Sequence, residues 1–360
     1  MAALPAPPGA YEAQSTRRLA ALALTMGDPA GIGPEIALKA WAARETKNIA
    51  PFAFYGDVSL LEERARLLGL PVTLQPIDMP EAAPSIFAKA LPIIAVPLAH
   101  PSRPGEPDSA NAAATLQAIE LAVAHVALGR ARAVVTCPIA KSVLYAAGFK
   151  HPGHTEFLAH LAAKHWPGRD WPPVMMLACD RLRVVPLTIH IPLKDVPRLV
   201  TRDALLATVR TVHAALKTQF AIAAPRIAIA GLNPHAGEDG AIGREEIDTL
   251  APAIAALRRE GLIVTGPYSA DTLFHEAARA TYDAVVCMYH DQALIPIKTL
   301  AFDEGVNVTL GLPFLRTSPD HGTAFAIAAK GIANPSSLIH ALKLADTLTQ
   351  RTTPHTATTS

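Results

Sequence analysis

Residues 22–35 read LALTMGDPAGIGPE and place a strand, a glycine-containing loop and a helix start next to one another. Leu22 to Thr25 is a short apolar run, which is typical of a buried strand. The loop that follows contains Gly27, Gly31 and Gly33, and Pro34 suits the first turn of a helix. The segment therefore predicts the first strand-loop-helix unit of an α/β fold.

The same alternation of short β-branched runs and longer helical patterns continues along the chain, and it predicts an α/β fold with a largely parallel sheet. The predicted strands are 22–25, 52–55, 93–96, 133–136, 174–178, 183–188, 226–230, 262–265, 283–288 and 306–310. The predicted helices are 34–44, 109–128, 156–164, 202–217, 244–259, 271–279 and 336–349.

Composition narrows the functional class. The chain has 360 residues, half of them hydrophobic, which is enough for two ordinary lobes. The formal net charge of +1 provides no overall field for nucleic acid or an anionic membrane. No apolar run is long enough to span a bilayer. The cysteines lie far apart and form no Cys-x-x-Cys pair, so we expect the protein to be located in the reducing cytoplasm.

Three histidines follow predicted strands at matching positions: His190, His235 and His290. Ligands bind beyond the carboxyl ends of strands in open α/β sheets. Neutral imidazoles bind zinc and other first-row divalent ions, and three protein ligands would leave a position open for substrate. Three ordinary hydrogen-bonded loop histidines are the alternative, and spacing alone leaves both readings open.

Two loops could hold an anion. The loop from Gly27 to Gly33 lacks the Gly-x-Gly-x-x-Gly dinucleotide fingerprint, so it is either an anion site at a helix start or a tight packing turn. Residues 153–156 read GHTE, where His154, Thr155 and backbone amides at a helix start could receive a phosphate. A plain helix cap through Thr155 is the alternative.

Charged and polar residues near the predicted strand 306–310 suit recognition of phosphate and carboxylate: Lys298, Asn307 and Arg316. Solvated surface positions are the alternative for each of them. Asp271 and Asp291 are candidates for supporting a ligand or accepting a proton, although carboxylates at helix starts are also common caps.

Several long segments of the chain, between about residues 22 and 344, resemble the 4-hydroxythreonine-4-phosphate dehydrogenase family of pyridoxal phosphate synthesis. They are TMGDPAGIGPE (25–35), GHTEF (153–157), LNPHAGE (232–238), GPYSAD (266–271), YHDQ (289–292), GLP (311–313) and RTSPDHG (316–322).

This resemblance implies an isocitrate and isopropylmalate dehydrogenase-like fold, with two α/β lobes, a cleft between them, and a homodimer whose active sites lie at the subunit interface. The lobes are expected at 19–142 plus 309–351 and at 143–308, the second with metal ligands and dimer contacts, and loose tails at 1–18 and 352–360. The implied metal ligands are His190, His235 and His290, and the implied substrate-binding residues are His154, Thr155, Lys298, Asn307 and Arg316.

The implied reaction is NAD- or NADP-dependent oxidation of 4-phosphooxy-L-threonine to a 3-keto acid, which decarboxylates to 3-amino-2-oxopropyl phosphate. Zinc is the expected metal, with magnesium or cobalt as alternatives, and no residue is assigned to the dinucleotide. Asp291, Asp271 and Lys298 are the candidates for the catalytic base. Rival substrates are 4-phospho-threonate, 4-phospho-erythronate and aromatic cis-diol carboxylates. A zinc hydrolase and a non-catalytic binding protein are rivals from other classes.

Overall fold

The computed structural model describes residues 20–351, so the tails predicted at 1–18 and 352–360 lie outside the described residues. The chain divides into two compact units, unit 1 (Met1–Trp171 and Pro313–Ser360) and unit 2 (Pro172–Leu312).

Within residues 20–351 the strands are β1 (Leu22–Thr25), β2 (Phe52–Gly56), β3 (Leu74–Pro76), β4 (Leu91–Ala95), β5 (Val134–Thr136), β6 (Val174–Cys179), β7 (Leu182–Pro186), β8 (Arg226–Ala230), β9 (Ile263–Tyr268), β10 (Ala284–Cys287), β11 (Val306–Leu310) and β12 (Arg316–Pro319). The α-helices of the same range are α1 (Gly33–Ala42), α2 (Val58–Leu68), α3 (Ala83–Ile86), α4 (Ala112–Ala127), α5 (Lys141–Ala146), α6 (His154–His165), α7 (Val196–Leu199), α8 (Arg202–Thr218), α9 (Ala251–Arg259), α10 (Glu276–Arg279), α11 (His290–Ala301) and α12 (Ser336–Arg351).

Unit 1 contains parallel strands in the order β3-β4-β2-β1-β5-β12. Every residue of β1 and β2 is buried, as expected for a parallel sheet covered on both faces. Helices α4 and α12 pack against this sheet, and α6 packs against α4. The unit bounds differ from the predicted lobes: residues 143–171, predicted in the second lobe, belong to unit 1, and residues 309–312, predicted in the first lobe, belong to unit 2.

Unit 2 contains strands in the order β11-β6-β7-β10-β8-β9. Strands β7, β10, β8 and β9 run parallel, while β6 is antiparallel to both of its neighbours. The apolar core between this sheet and α11 includes Val184, Val285 and Leu294. The predicted α/β class with mostly parallel strands is therefore confirmed.

Local sequence explains the longer helices. In α8 the Thr201 hydroxyl accepts the amide of Ala204 as an N-cap, and apolar residues at helical spacing, including Leu205, Val209 and Val212, are buried. In α2 the Asp57 carboxylate caps the first turn, and the helix ends at Gly69 in the left-handed conformation.

Two predicted helices are interrupted. The segment 244–259 forms a π-helical turn over Glu246–Leu250 before α9, and 271–279 forms a 3₁₀ turn over Ala270–Thr272 followed by α10. Strands β3 and β12 and helices α2, α3, α5, α7 and α11 were not predicted. None of the helices within the described range 20–351 is long and apolar enough to cross a membrane.

Candidate active site

The carboxyl ends of four neighbouring parallel strands of unit 2 carry most of the candidate residues. His190 follows β7, His290 follows β10, His235 follows β8 and Asp271 follows β9. Because β7, β10, β8 and β9 are adjacent in that order, these residues lie along one edge of the sheet. The strand-end prediction for the three histidines is therefore confirmed.

His190 and His290 form a pair at this edge. Their ring centroids lie 5.7 Å apart. Both rings line a cavity of about 360 Å³, whose walls also include Thr188, Tyr289 and Asp291. The pair is thus accessible to a small molecule or an ion.

A carboxylate fixes the orientation of one of these rings. Nδ1 of His290 lies 2.7 Å from Oδ1 of Asp291 and is hydrogen bonded to it. With its proton on Nδ1, the ring of His290 presents the lone pair of Nε2, which is the usual arrangement of a metal-binding histidine supported by a carboxylate. The structure therefore places Asp291 as a support of His290.

His235 lies in an unusual turn. Five consecutive residues have positive φ angles: His235 (52°), Ala236 (51°), Gly237 (82°), Glu238 (45°) and Asp239 (53°). The left-handed conformation is costly for residues with a Cβ atom, so the surrounding structure must hold this turn.

The structure brings together a pair of the predicted ligands. Within residues 20–351, no group of three or more His, Cys, Asp or Glu side chains stands in position to hold a metal ion. His235, held in its left-handed turn, does not complete such a group with His190 and His290. It does contribute to the electrostatic environment of Asp271. The donor types nevertheless fit a first-row divalent cation, because imidazole nitrogen is a preferred ligand of these ions.

Hydrogen bonds link the three histidine-bearing loops. The Thr188 hydroxyl donates to the carbonyl of Met288 (2.7 Å), which joins the loop of His190 to that of His290. The Gln292 side chain accepts from the Met288 amide (2.7 Å) and donates to the carbonyl of Gly231 (2.8 Å), where the loop of His235 begins. Sequence reasoning missed the roles of Thr188 and Gln292; their only local signal was their nearness to the histidines.

The remaining unit 2 candidates are also located. Asp271 is exposed and accepts a hydrogen bond from the Ser269 hydroxyl, which lowers the pKa of its carboxyl. Lys298 is on α11, two turns after His290, with its ammonium 5.5 Å from the ring centroid of Phe302. Asn307 lies on β11 and is partly buried.

Unit 1 contains a separate buried basic cluster, consisting of Arg316, Thr136 and His154. Arg316 begins β12 and is only 4% exposed. Its guanidinium donates from Nε (3.2 Å) and Nη2 (2.7 Å) to the Thr136 hydroxyl at the end of β5, and it lies 3.4 Å from Nδ1 of His154. Burial lowers the pKa of Arg316 to about 10. The guanidinium is therefore still charged at neutral pH.

His154 is held neutral beside this cation. Burial first, and then the positive charges of Arg316 and Lys141, keep the pKa of its imidazole well below 6.5. Because Nδ1 accepts from Arg316, the proton of the neutral ring is on Nε2. Among the described residues Nε2 is buried without a hydrogen-bond partner. A buried donor beside two cations suits an oxygen of an anionic ligand.

Helix α6 begins at this cluster. His154 is its first residue, and its N-cap, Gly153, has no side chain to cap the helix. Thr155 therefore does not act as the N-cap, and the first-turn amides add to the positive potential around His154. The ammonium of Lys141 lies beside Gly153.

The glycines of residues 27–33 have a packing role. A Cβ atom on Gly27 would stand 2.4 Å from the carbonyl oxygen of Pro138, and one on Gly33 would stand 2.3 Å from that of Met26. All residues of this loop are buried. The structure thus favours the tight-turn reading over an anion cradle.

Comparisons with known proteins agree with the resemblance. A relative from Methylorubrum populi, named 4-hydroxythreonine-4-phosphate dehydrogenase, is 58% identical over 92% of this chain and 95% of its own length. The crystal structure of 4-hydroxythreonine-4-phosphate dehydrogenase from Klebsiella pneumoniae is 39% identical and superposes with a TM-score of 0.81, covering 92% of this chain and 100% of that chain.

A more distant structure is also similar. Terephthalate 1,2-cis-dihydrodiol dehydrogenase from Burkholderia xenovorans is 31% identical with a TM-score of 0.61, covering 91% of this chain and 98% of that chain. Residues 47–345 match the family model described as pyridoxal phosphate biosynthetic protein PdxA. The chain therefore belongs to the PdxA family.

Proposed function

We propose that this chain is a metal-dependent 4-hydroxythreonine-4-phosphate dehydrogenase that oxidises 4-phosphooxy-L-threonine with NAD or NADP. The observation that carries the proposal is the pairing of His190 and His290, 5.7 Å apart beside a cavity, in a member of the PdxA family. The name of the Methylorubrum populi relative supports the choice of substrate.

The proposed metal ligands are His190, His235 and His290, with zinc as the preferred ion and magnesium or cobalt as alternatives. Bound there, a divalent cation would lower the pKa of the substrate hydroxyl and stabilise negative charge on its oxygen. Asp291 would orient His290 through the 2.7 Å hydrogen bond at Nδ1. The third ligand, His235, would come from its left-handed turn.

The overall reaction needs a hydride acceptor and a proton acceptor. NAD or NADP would accept the hydrogen on the third carbon of the substrate as hydride, and a base of this chain would accept the hydroxyl proton. In the resulting 3-keto acid the bond to the carboxylate breaks, carbon dioxide leaves, and protonation of the second carbon gives 3-amino-2-oxopropyl phosphate. The loop 27–33 is not proposed to hold the dinucleotide, because backbone oxygens fill the space beside its glycines.

We assign the proton acceptor to Asp271. Its carboxylate is exposed at the same sheet edge as the histidines and, like other exposed carboxylates, is ionised at neutral pH. Asp291 is the weaker candidate because it is engaged with His290. Lys298 is the second alternative, and its ammonium would have to lose a proton first.

Anionic groups of the substrate need cationic partners. In unit 1, Arg316 supplies a buried guanidinium and His154 a buried N–H donor, and Thr155 adds a hydroxyl in the first turn of α6. In unit 2, Lys298 and Asn307 supply an ammonium and an amide. We propose that these residues bind the phosphate and carboxylate and hold the reacting carbon in place.

A homodimer is proposed as the working form, with active sites at the subunit interface. Ile295 lies in α11 and Phe302 directly follows the helix, so the seven-residue spacing puts both on one face. Their side chains are 64% and 74% exposed. Such exposed apolar side chains favour association. Replacing both residues with Glu should convert the dimer into a monomer, as measured by sedimentation velocity.

A cytoplasmic setting is proposed because Cys137, Cys179 and Cys287 are all free thiols. We propose that nucleic acid is not a partner, since the formal net charge is only +1.

Substrate choice is tested with purified enzyme, added divalent metal and both dinucleotides. 4-Phosphooxy-L-threonine, 4-phospho-threonate and an aromatic cis-diol carboxylate are compared by reduced-nucleotide formation. We expect the highest kcat/KM with 4-phosphooxy-L-threonine. A preference for the phospho-threonate or the aromatic diol would contradict the proposed substrate but not the proposed type of reaction. Hydrolysis of the phosphoester without dinucleotide reduction would overturn the dehydrogenase proposal.

A further inference from the structure

The buried carboxylate of Glu246 organises the loop that carries His235. Glu246 is 3% exposed and lies at the start of the π-helical turn that precedes α9. Its Oε1 accepts the backbone amides of Leu232 (2.7 Å) and Asn233 (2.8 Å). Its Oε2 accepts from the side-chain amide of Asn233 (2.9 Å). One carboxylate thus fixes the segment immediately before His235.

The same carboxylate also touches the far side of the turn. A Cβ atom on Gly237 would stand 2.7 Å from Oε2 of Glu246, so only glycine allows this close approach. Gly237 has a φ angle of 82°, which also favours glycine. Glu246 therefore holds Asn233 by hydrogen bonds and packs against Gly237, and His235 lies between these two residues.

This arrangement has an energetic reason. A carboxylate buried away from water is costly unless several donors compensate it, and Glu246 has three. The left-handed conformation from His235 to Asp239 is also costly. The buried carboxylate of Glu246 therefore holds the segment that leads into a strained turn.

A second contact connects this loop to the paired histidines. Gly231, next to Leu232, accepts a hydrogen bond from Gln292, which lies in the first turn of α11 two residues after His290. Gln292 thus fixes Gly231, where the His235 loop begins, relative to His290. Glu246 fixes the next two residues of the loop, Leu232 and Asn233.

We propose that Glu246 is a positioning residue that holds His235 for metal binding. The inference rests on the proposed function, since it assumes that His235 is a metal ligand. Glu246 itself touches neither metal nor substrate; it acts through the backbone of residues 232–237.

Cobalt binding to the full-length protein tests this role without relying on turnover. Co²⁺ affinity is measured by calorimetry and by visible absorption, which reports the ligand geometry, for Glu246→Ala, Glu246→Gln and Gly237→Ala. Asp248→Asn is the matched control, because Asp248 is in the same turn but forms an exposed pair with Arg244.

Glu246→Ala and Gly237→Ala should each weaken Co²⁺ binding by about 10- to 100-fold, the range typical of groups that orient a metal ligand. Glu246→Gln should lose less, because its amide oxygen can still accept the amides of Leu232 and Asn233 while its NH₂ group cannot accept from the Asn233 side chain. The control should match the wild type. If Glu246→Ala does not fold, Glu246→Gln and Gly237→Ala provide the test.

Two results would overturn the inference, and only the second would also overturn the proposed metal site. If His290→Ala and His235→Ala lose Co²⁺ while folded Glu246 and Gly237 variants bind it with wild-type affinity and spectrum, Glu246 has no positioning role and the proposed metal site stands. If none of these variants, including His290→Ala, changes Co²⁺ binding, the proposed metal site fails together with the inference.

Discussion

Arg316 donates from Nη2 toward Nδ1 of His154 across 3.4 Å, although the two residues are 162 positions apart in the sequence. The contact keeps a buried cation next to a neutral imidazole whose remaining N–H has no partner among the described residues. An anionic substrate group would accept the hydrogen bond of that N–H beside the cation. This relationship is the basis for the first two predictions.

Replacing Arg316 with Lys should raise KM for 4-phosphooxy-L-threonine. The ammonium keeps the charge and loses the planar fork that donates to Thr136 by two nitrogens. Loss of one charge-assisted hydrogen bond, about 1.5–3 kcal/mol, corresponds to roughly a 10- to 100-fold increase in KM. Steady-state kinetics measure it, with Arg244→Lys as an exposed control. An unchanged KM would remove Arg316 from substrate binding.

Acid should destabilise the protein partly through His154. The folded state keeps its pKa well below 6.5, whereas the unfolded chain protonates it near that value, so unfolding takes up a proton below about pH 6.5. The stability contribution is therefore complete above that pH and falls as the pH drops toward the folded pKa. In His154→Gln the decrease in Tm between about pH 7 and 5 should be smaller than in the wild type.

The control for this pH experiment is His160→Gln, which changes an exposed histidine of the same helix α6. His125, His165 and His213 also have lowered pKa values through burial, so they account for acid sensitivity that persists in His154→Gln. An identical pH dependence of Tm in wild type and His154→Gln would contradict the neutral state of His154 in the folded protein.

Removing the support of His290 should weaken the metal site. In Asp291→Ala the His290 ring loses the 2.7 Å hydrogen bond at Nδ1, and metal affinity should decrease by about 10- to 100-fold. Asp291→Asn should lose less, because the amide oxygen still accepts from Nδ1. Competition with a zinc-binding dye measures both. A large loss of kcat with unchanged metal affinity would instead make Asp291 the catalytic base.

Asp271→Asn should lower kcat by about 100- to 10,000-fold, the contribution typical of a general base. Metal affinity should remain close to the wild-type value, because Asp271 is assigned to proton transfer. Rapid-quench or steady-state assays measure kcat, and Asp303→Asn, an exposed change near the end of α11, is the control. Wild-type turnover by Asp271→Asn would show that Asp271 is not the proton acceptor and would favour Asp291 or Lys298.

Much of the fold was predictable because buried strands and helices have characteristic local patterns of apolar residues. Strands β1, β8 and β11 have the bounds predicted from their apolar runs. Strand β12 reads Arg-Thr-Ser-Pro and gives no apolar signal, yet it is buried beside β5. Helix α11 escaped prediction because Pro296 interrupts its pattern.

The site was predictable where chemistry follows a strand end, as for His190 and His290. It was not predictable where a role depends on distant partners. Thr136 is identified by its bond to Arg316, 180 positions away, and Glu246 by its bonds to the backbone of residues 232–233. One signal could have indicated Glu246: a carboxylate four residues before the buried Leu250, on the apolar face of the predicted helix 244–259.

The most direct test of the account titrates Co²⁺ into the wild type and into His190→Ala, His235→Ala and His290→Ala, with His160→Ala as a control. We expect one tight site per chain in the wild type and the control, and a loss of affinity of about 100-fold or more in each of the three ligand variants, together with loss of 4-phosphooxy-L-threonine oxidation. Wild-type Co²⁺ affinity and turnover in His235→Ala would contradict the three-histidine site.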